Sequence, residues 1–373
     1  MEDAGVEVVL ATSTHNVRYL LGGYRFFFFE HFNAIGVSVY LPCLGYQRGH
    51  PENAFYIGNP METRSLELEP LWVGRLDTSS WTAAGTARAA ADFLRRLRLE
   101  RATIAIERSF IPDEALTVLE QELPRASFVE ALPLLSELRA IKRPDELALL
   151  RIVADGIVSA MMEVIGSATA GVTTRALAER LRIEETRRGL VSEYCLVAAG
   201  PSSHRAPSEA PWLAGRALSL DSGASLRGYV GDLARMGCMG TPTARMEELL
   251  AQVDAVQQAG RSEVRPGRTG QEVYAAALAV QGECPDGPNM SFVAHGMGLV
   301  SHEAPYLTDT RTVPYPAVHR HRPFEPGMVL SVETELVDSV VGYVKLEDTV
   351  VVTEDGAEAY GDAGRGWNAV PLE

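Results

Sequence analysis

The chain has 373 residues, 46% hydrophobic and 22% charged. That is an ordinary globular balance, and more chain than one hydrophobic core usually organises, so two domains are expected. The formal net charge of −15 argues against nucleic acid or an anionic membrane as the main partner. No segment approaches the length of a membrane span, and the opening MEDAGVEVVLATSTHN has no basic stretch ahead of its short apolar run. Cys43, Cys195, Cys238 and Cys284 lie far apart and match no zinc spacing, so they read as reduced thiols of a cytoplasmic protein.

In chain order, VEVVLA (6–11) and AIGVSVYL (34–41) read as strands. The Ala-, Leu- and Arg-rich stretch 82–99 reads as a helix, ATIAIE (102–107) as a strand and 112–123 as a helix. Strands alternating with helices predict an α/β domain over 1–138 that carries no catalytic motif. A second domain is expected over 139–373. Pro144 and Asp145 open its first helix, with Glu146 well placed in the first turn. Leu147, Leu150, Val153, Ile157, Met161 and Ile165 then recur in steps of three and four, which defines one buried face. A second helix begins near Thr173 or Thr174 and ends on Arg187 and Arg188 before Gly189, and the strand EYCLVAAG follows. ALSLD (217–221) and LRGYV (226–230), joined by SGAS, suggest a hairpin. Met246, Leu249, Leu250, Val253 and Val256 mark another amphipathic helix, and 269–280 a further one. Strands at 328–333 and 344–353 close the chain. Helix, helix, strands thus occurs twice, a weak internal duplication of an α+β half.

Several side chains in this half bear chemistry. Asp221 and Asp232 can hold metal from adjacent strands of the hairpin; taken alone, they read as turn residues sooner than as ligands. His295, in AHGMG, has small neighbours that let a ligand approach the backbone, or it is a structural histidine. His302 is a second ligand, a donor to substrate, or a partner of Glu303. Alternation places Glu333 with Val329, Ser331 and Glu335 on one strand face, either facing solvent or facing a site. Glu347 lies in an equally apolar strand, where an unpaired carboxylate is costly. His319 and His321, in VHRHRP, read as a solvated loop.

In order, D-x10-D, H-G-x-G-x-x-x-H-E, P-G-M-V-x-x-V-E and a late E-D within a strand resemble the pita-bread metallopeptidases. These include aminopeptidase P, prolidase and methionine aminopeptidase, with creatinase as a metal-free relative. The motifs cover residues 140–373, and NVRYLLGG near the start is similar to a segment in the N-terminal domain of the creatinase, prolidase and aminopeptidase P branch. The resemblance implies an α+β pita-bread catalytic domain preceded by a smaller α/β creatinase-type domain. It implies two divalent ions (manganese, cobalt, zinc or iron) on Asp221, Asp232, His295, Glu333 and Glu347, with Asp232 and Glu347 shared between them. A hydroxide bridging the ions would attack an amide, with Glu333 moving protons and His302 and His204 on the substrate side. Asp232 and Arg235 keep the family's D-x-x-R element. The expected activity is that of an Xaa-Pro dipeptidase or aminopeptidase. The alternative is a non-peptide member, similar to ectoine hydrolase or the dimethylsulfoniopropionate lyase. A binding module that has lost catalysis is disfavoured, since all five ligand positions are kept. Lys345 stands where many prolidases and aminopeptidases P have Arg, and it cannot fork onto a carboxylate. That departure and the long stretch between His302 and Pro326 bear on the substrate, a short peptide or a small molecule. A homodimer is also implied, with the aromatic run 24–32 either at its contact or in the core.

Overall fold

The computed structural model describes residues 1–308 and 315–372. The chain divides into two compact units, Met1–Leu138 and Arg139–Glu373. The first contains β1 (Val8–Ala11), α1 (Thr14–Leu20), β2 (Cys43–Gln47), β3 (His50–Ile57), α2 (Thr63–Leu68), β4 (Arg75–Asp77), α3 (Ala83–Arg96), β5 (Thr103–Ile106), α4 (Asp113–Glu122) and β6 (Ser127–Glu130), then α5 (Leu132–Ala140), which runs over the boundary. Its sheet has the order β4-β3-β2-β1-β5-β6. Helix α3 turns Ala83, Ala87, Ala90, Ala91 and Leu94 onto Val8, Leu10, Ile104 and Ile106. The run of alanines lets helix and sheet approach closely. The expected strand at 34–41 is absent: this stretch is turns and extended chain, and Tyr40 and Leu41 are buried as core side chains rather than paired. The strands beside β1 are β2 and β5, and β2 pairs on its other edge with β3, whose HPENAF stretch lacks a clear apolar alternation. Phe28 and Phe29 are buried with Tyr40, Leu44 and Tyr56, while Phe27 is half exposed.

Two acidic side chains are buried in this unit. Glu62 accepts hydrogen bonds from the hydroxyls of Tyr24 (2.8 Å), Tyr40 (2.8 Å) and Tyr56 (2.7 Å) and from the Asn59 N–H (2.6 Å). Glu107 accepts from the N–H groups of Thr12 (2.6 Å) and Ser13 (2.9 Å), Ser13 Oγ (2.6 Å) and Asn16 Nδ2 (2.6 Å).

The second unit runs α6 (Pro144–Gly166), α7 (Thr174–Arg187), β7 (Val191–Ala199), β8 (Ala217–Leu226), β9 (Tyr229–Met239), α8 (Ala244–Ser262), α9 (Gly270–Glu283), β10 (Met290–Gly296), β11 (Val329–Asp338), β12 (Gly342–Val352), β13 (Ala357–Tyr360) and β14 (Asn368–Val370). Two helices followed by strands do occur twice. The main path of the sheet is β10-β11-β12-β9-β8-β7, with β13 beside β12 and β14 beside β9. Threonine side chains start three helices: Thr173 accepts from Ala176 N–H, Thr243 from Met246 N–H and Thr269 from Glu272 N–H. Pro144 opens α6, and Glu146 reaches back to the Arg143 N–H at 2.9 Å.

The hairpin forms, but its turn is not SGAS. Those residues lie inside β8, and the reversal is the two-residue loop Arg227–Gly228, with φ of 52° and 87°. Small polar residues mimic turn composition here because they are buried: Ser222 Oγ donates to Glu185 at 2.8 Å.

Arg235, on β9, binds the strands together. Wholly buried, it pairs with Asp348 of β12 at 2.8 Å and donates to the carbonyls of Glu347 (2.9 Å), Gly361 (2.5 Å) and Ala363 (2.6 Å). Asp348 also meets Arg261 of α8 (2.9 Å) and Arg365.

Candidate metal centre

Strand register assembles the site. Across four neighbouring strands, Glu333 of β11 pairs with Glu347 of β12, Glu347 with Ala234 of β9, and Ala234 with Asp221 of β8. Directly paired residues project to the same sheet face, so the three carboxylates form one row with a methyl group between two of them. Asp232 lies two residues along β9 from Ala234 and shares that face. His295 of β10 pairs with Ser331, two residues from Glu333, and joins it. Arg235 and Asp348, offset by one residue, point to the other face.

Asp232, His295 and Glu347 are all buried, and each offers a ligand atom within 4.8 Å of the other two. His295 Nε2 lies 3.9 Å from Glu347 Oε1 and 4.0 Å from Glu333 Oε1, beyond hydrogen-bond reach, and has no hydrogen-bond partner among the described residues. A buried ring nitrogen left this way is costly, and its distances to two carboxylates suit ligands arranged around a shared ion. The donor set, oxygen-rich with one imidazole, fits a hard or borderline divalent cation. Ser331 Oγ donates to Glu347 Oε1 at 2.7 Å, and Ser301 Oγ to Asp232 Oδ2 at 3.3 Å. Tyr194, whose ring crosses Gly223, lies near enough for the Asp232 charge, after burial, to help push its hydroxyl pKa upward.

Electrostatics within the cluster are strained. Burial, then the neighbouring Glu347, pushes Asp232 well above the usual carboxylate range and Glu333 up to about 7. Burial also raises Asp221. Burial acts the same way on Glu347, but Lys345 and His295 outweigh it and hold this carboxyl below its ordinary range. Lys345 sits inside the group: its Nζ is 2.6 Å from Asp221 Oδ2, 2.5 Å from Glu333 Oε2 and 2.8 Å from Glu347 Oε2. Arg205 also contacts Asp221, and its guanidinium lies 4.5 Å over the Tyr343 ring.

The glycines around His295 have a different role from the expected approach of a ligand. A Cβ on Gly296 would lie 2.4 Å from Pro305 N, because the 303–305 backbone crosses over that residue. The crossing returns His302 onto His295, their rings stacked at 3.7 Å and 13°. His302 Nδ1 lies 3.2 Å from Tyr315 Oη, and burial followed by the His295 charge lowers the His302 pKa to about 3. Glu303 pairs not with His302 but with Arg139 Nε (3.0 Å) and Lys142 Nζ (2.9 Å), all three buried. His204 lies exposed on the loop after β7, outside the buried cluster, and its neighbour Arg205 is the residue of that loop that reaches Asp221. His319 is not solvated: it is buried, its Nδ1 accepts from the Tyr306 N–H at 2.9 Å, and its ring stacks on Tyr306. His321 is exposed, as expected. Residues 309–314, within the long stretch after His302, lie outside the described residues.

Arg205, Tyr194 and Tyr315 did not stand out in the sequence. Lys345 stood out only as a departure from a motif, although Lys-x-Glu on one strand already places its side chain on the face of Glu347.

A centre of this kind, on a duplicated α+β scaffold, defines a metal-dependent hydrolase. The chain belongs to metallopeptidase family M24, whose profile matches residues 148–354, and residues 1–141 match the Creatinase/Prolidase N-terminal domain. The fold is therefore a creatinase-type α/β domain followed by a pita-bread domain. The chain is 29% identical over 239 residues to the uncharacterized peptidase YqhT of Bacillus subtilis, covering 62% of this chain and 65% of that one. It is 25% identical over 230 residues to the Xaa-Pro dipeptidase of Pyrococcus furiosus, covering 60% and 64%. The matches thus span slightly under two thirds of those relatives' length. The structure of an Xaa-Pro dipeptidase from Bacillus anthracis superposes with a TM-score of 0.83 at 21% identity, covering 99% of this chain and 96% of that one, and so shares the fold.

Proposed function

We propose that this chain is an Xaa-Pro dipeptidase or aminopeptidase that uses divalent metal held by Asp221, Asp232, His295, Glu333 and Glu347. The observation that carries the reading is the buried His295 Nε2, without a hydrogen-bond partner among the described residues and about equally far from two carboxylates. Family membership and the printed activity of the Pyrococcus relative support it. The five residues would hold divalent metal, which would supply a water of lowered pKa and polarise a carbonyl.

The chain's own groups supply the rest. Glu333, pushed up to about 7, is suited to accept a proton from the attacking water and deliver it to the leaving nitrogen. In the tautomer of the neutral His302 ring that carries its proton on Nε2, Nδ1 accepts from the Tyr315 hydroxyl and Nε2 would donate to a substrate oxygen. His204 meets substrate from the exposed loop. Ser331 fixes the orientation of Glu347. The homodimer implied by the family resemblance belongs to the same proposal, and sizing tests it.

The decisive assay compares Mn2+-loaded and chelator-stripped protein on Xaa-Pro dipeptides, longer Xaa-Pro peptides, and small amide and sulfonium compounds. Metal-dependent release of proline from dipeptides, or of the first residue from longer peptides, is the expected result. Turnover of the small compounds alone would favour the non-peptide reading. Full activity in the stripped protein would end the metal mechanism.

A further inference from the structure

We infer that Lys345 is a built-in cation of the metal centre, so that its two ends differ. Asp232, His295 and Glu347 form a tight divalent-ion position, while an ion at Asp221 must compete with the Lys345 ammonium. The inference rests on the metal reading above and sharpens it.

Its basis is the distribution of partners. The Lys345 ammonium has three N–H donors and three carboxylates within 2.5–2.8 Å: Asp221, Glu333 and Glu347. A compact point charge can lie among three carboxylates, whereas a planar guanidinium forks onto one. Asp221 is contacted a second time by Arg205. Asp232, by contrast, accepts from a neutral group, the hydroxyl of Ser301, at 3.3 Å. Asp221 is thus in direct contact with two basic side chains, whereas Lys345 acts on Asp232 only through space and on its neighbour Glu347 by contact. With all four carboxylates ionised, as a bound cation would hold them, Lys345 and Arg205 leave two negative charges, which is what one divalent ion would neutralise. A second ion near Asp221 would meet the ammonium at short range in a buried setting, where like charges repel strongly. Lys345 is itself buried on β12, two residues before Glu347, so strand register fixes it to the site face.

The test loads full-length protein with Mn2+, desalts it, and counts retained ions by native mass spectrometry alongside electron paramagnetic resonance. Wild type is expected to retain one Mn2+ per chain with the six-line spectrum of an isolated ion. A second ion should bind only in titration, about tenfold or more weakly. Lys345→Met should retain two ions and show an exchange-coupled spectrum. Arg205→Met, at the more exposed edge of Asp221, should tighten the weaker step by a smaller factor. Two equivalent ions in wild type overturn the inference whether or not Lys345→Met folds, as does a folded Lys345→Met with the wild-type isotherm. Failure of wild type to retain any Mn2+ would instead bring down the metal reading itself.

Discussion

Glu62 and Glu107 in the N-terminal unit are buried as completely as Glu347 in the C-terminal one, at 0%, 0% and 1% exposure, yet their surroundings differ in kind. Three tyrosine hydroxyls and a backbone N–H wrap Glu62; two backbone N–H groups, a serine and an asparagine wrap Glu107. Each of these anions is satisfied by neutral donors nearby, and neither approaches another carboxylate within its network. In the C-terminal sheet, strand register brings Asp221, Asp232, Glu333 and Glu347 together, with a few hydroxyls and one central ammonium among them. A carboxylate buried for structure is enclosed by donors; a set buried for chemistry faces inward and is stabilised by added cations.

The sharpest way to break this comparison is Glu333→Gln, which keeps shape and removes charge. Because Glu333 is proposed both as ligand and as proton carrier, kcat on an Xaa-Pro dipeptide should fall by roughly 10²–10⁴-fold with the circular dichroism spectrum unchanged. Activity close to wild type would place Glu333 with the structural carboxylates instead. Next in size is Arg235→Met, on the opposite face of the same strands. It removes one partner of a buried pair and four carbonyl contacts, although Arg261 and Arg365 remain with Asp348. Urea unfolding should show a loss of about 3 kcal/mol. A loss well under 1 kcal/mol would mean that the face behind the metal centre is not held together by this ion pair. Smaller again is Glu107→Gln, which weakens charge-assisted hydrogen bonds in the N-terminal unit. It should cost about 1–3 kcal/mol of stability while leaving Mn2+ retention as in wild type. Altered metal retention in this variant would contradict the division of roles between the two sheets.

Much of this contrast is readable in the sequence, though unevenly. The helices of the C-terminal unit follow from their apolar steps and caps, and the five chemistry-bearing residues follow from motif order. Their arrangement does not, because the row depends on Glu347 pairing with Ala234, residues far apart in the chain whose strands meet only after folding. The same register creates the Lys345 contacts. SGAS misleads as a turn because burial overrides composition in β8, and AIGVSVYL misleads as a strand because its apolar side chains fill a core without joining a ladder. AHGMG signals close backbone approach correctly, but what approaches Gly296 is the chain's own 303–305 segment.

Glu303 gives the mildest test, because it lies between the two kinds of carboxylate: buried in the C-terminal unit, yet fully partnered, here by cations. Burial alone would raise its pKa, but Lys142 and Arg139 outweigh burial and hold it below the ordinary 4.5. A carboxyl depressed by folding binds fewer protons in the folded state than in the unfolded one, so its contribution to stability is fully present above the unfolded pKa. That contribution is lost as pH falls through the lower, folded value. Wild type and Glu303→Gln, both metal-free so that acid release of metal does not intrude, should therefore differ most in urea unfolding near neutrality. Their difference should narrow as the pH is lowered past the usual carboxylate range. A difference that stays constant down the acid limb would mean that Glu303 contributes through shape and packing, and that its two basic neighbours do not hold it ionised.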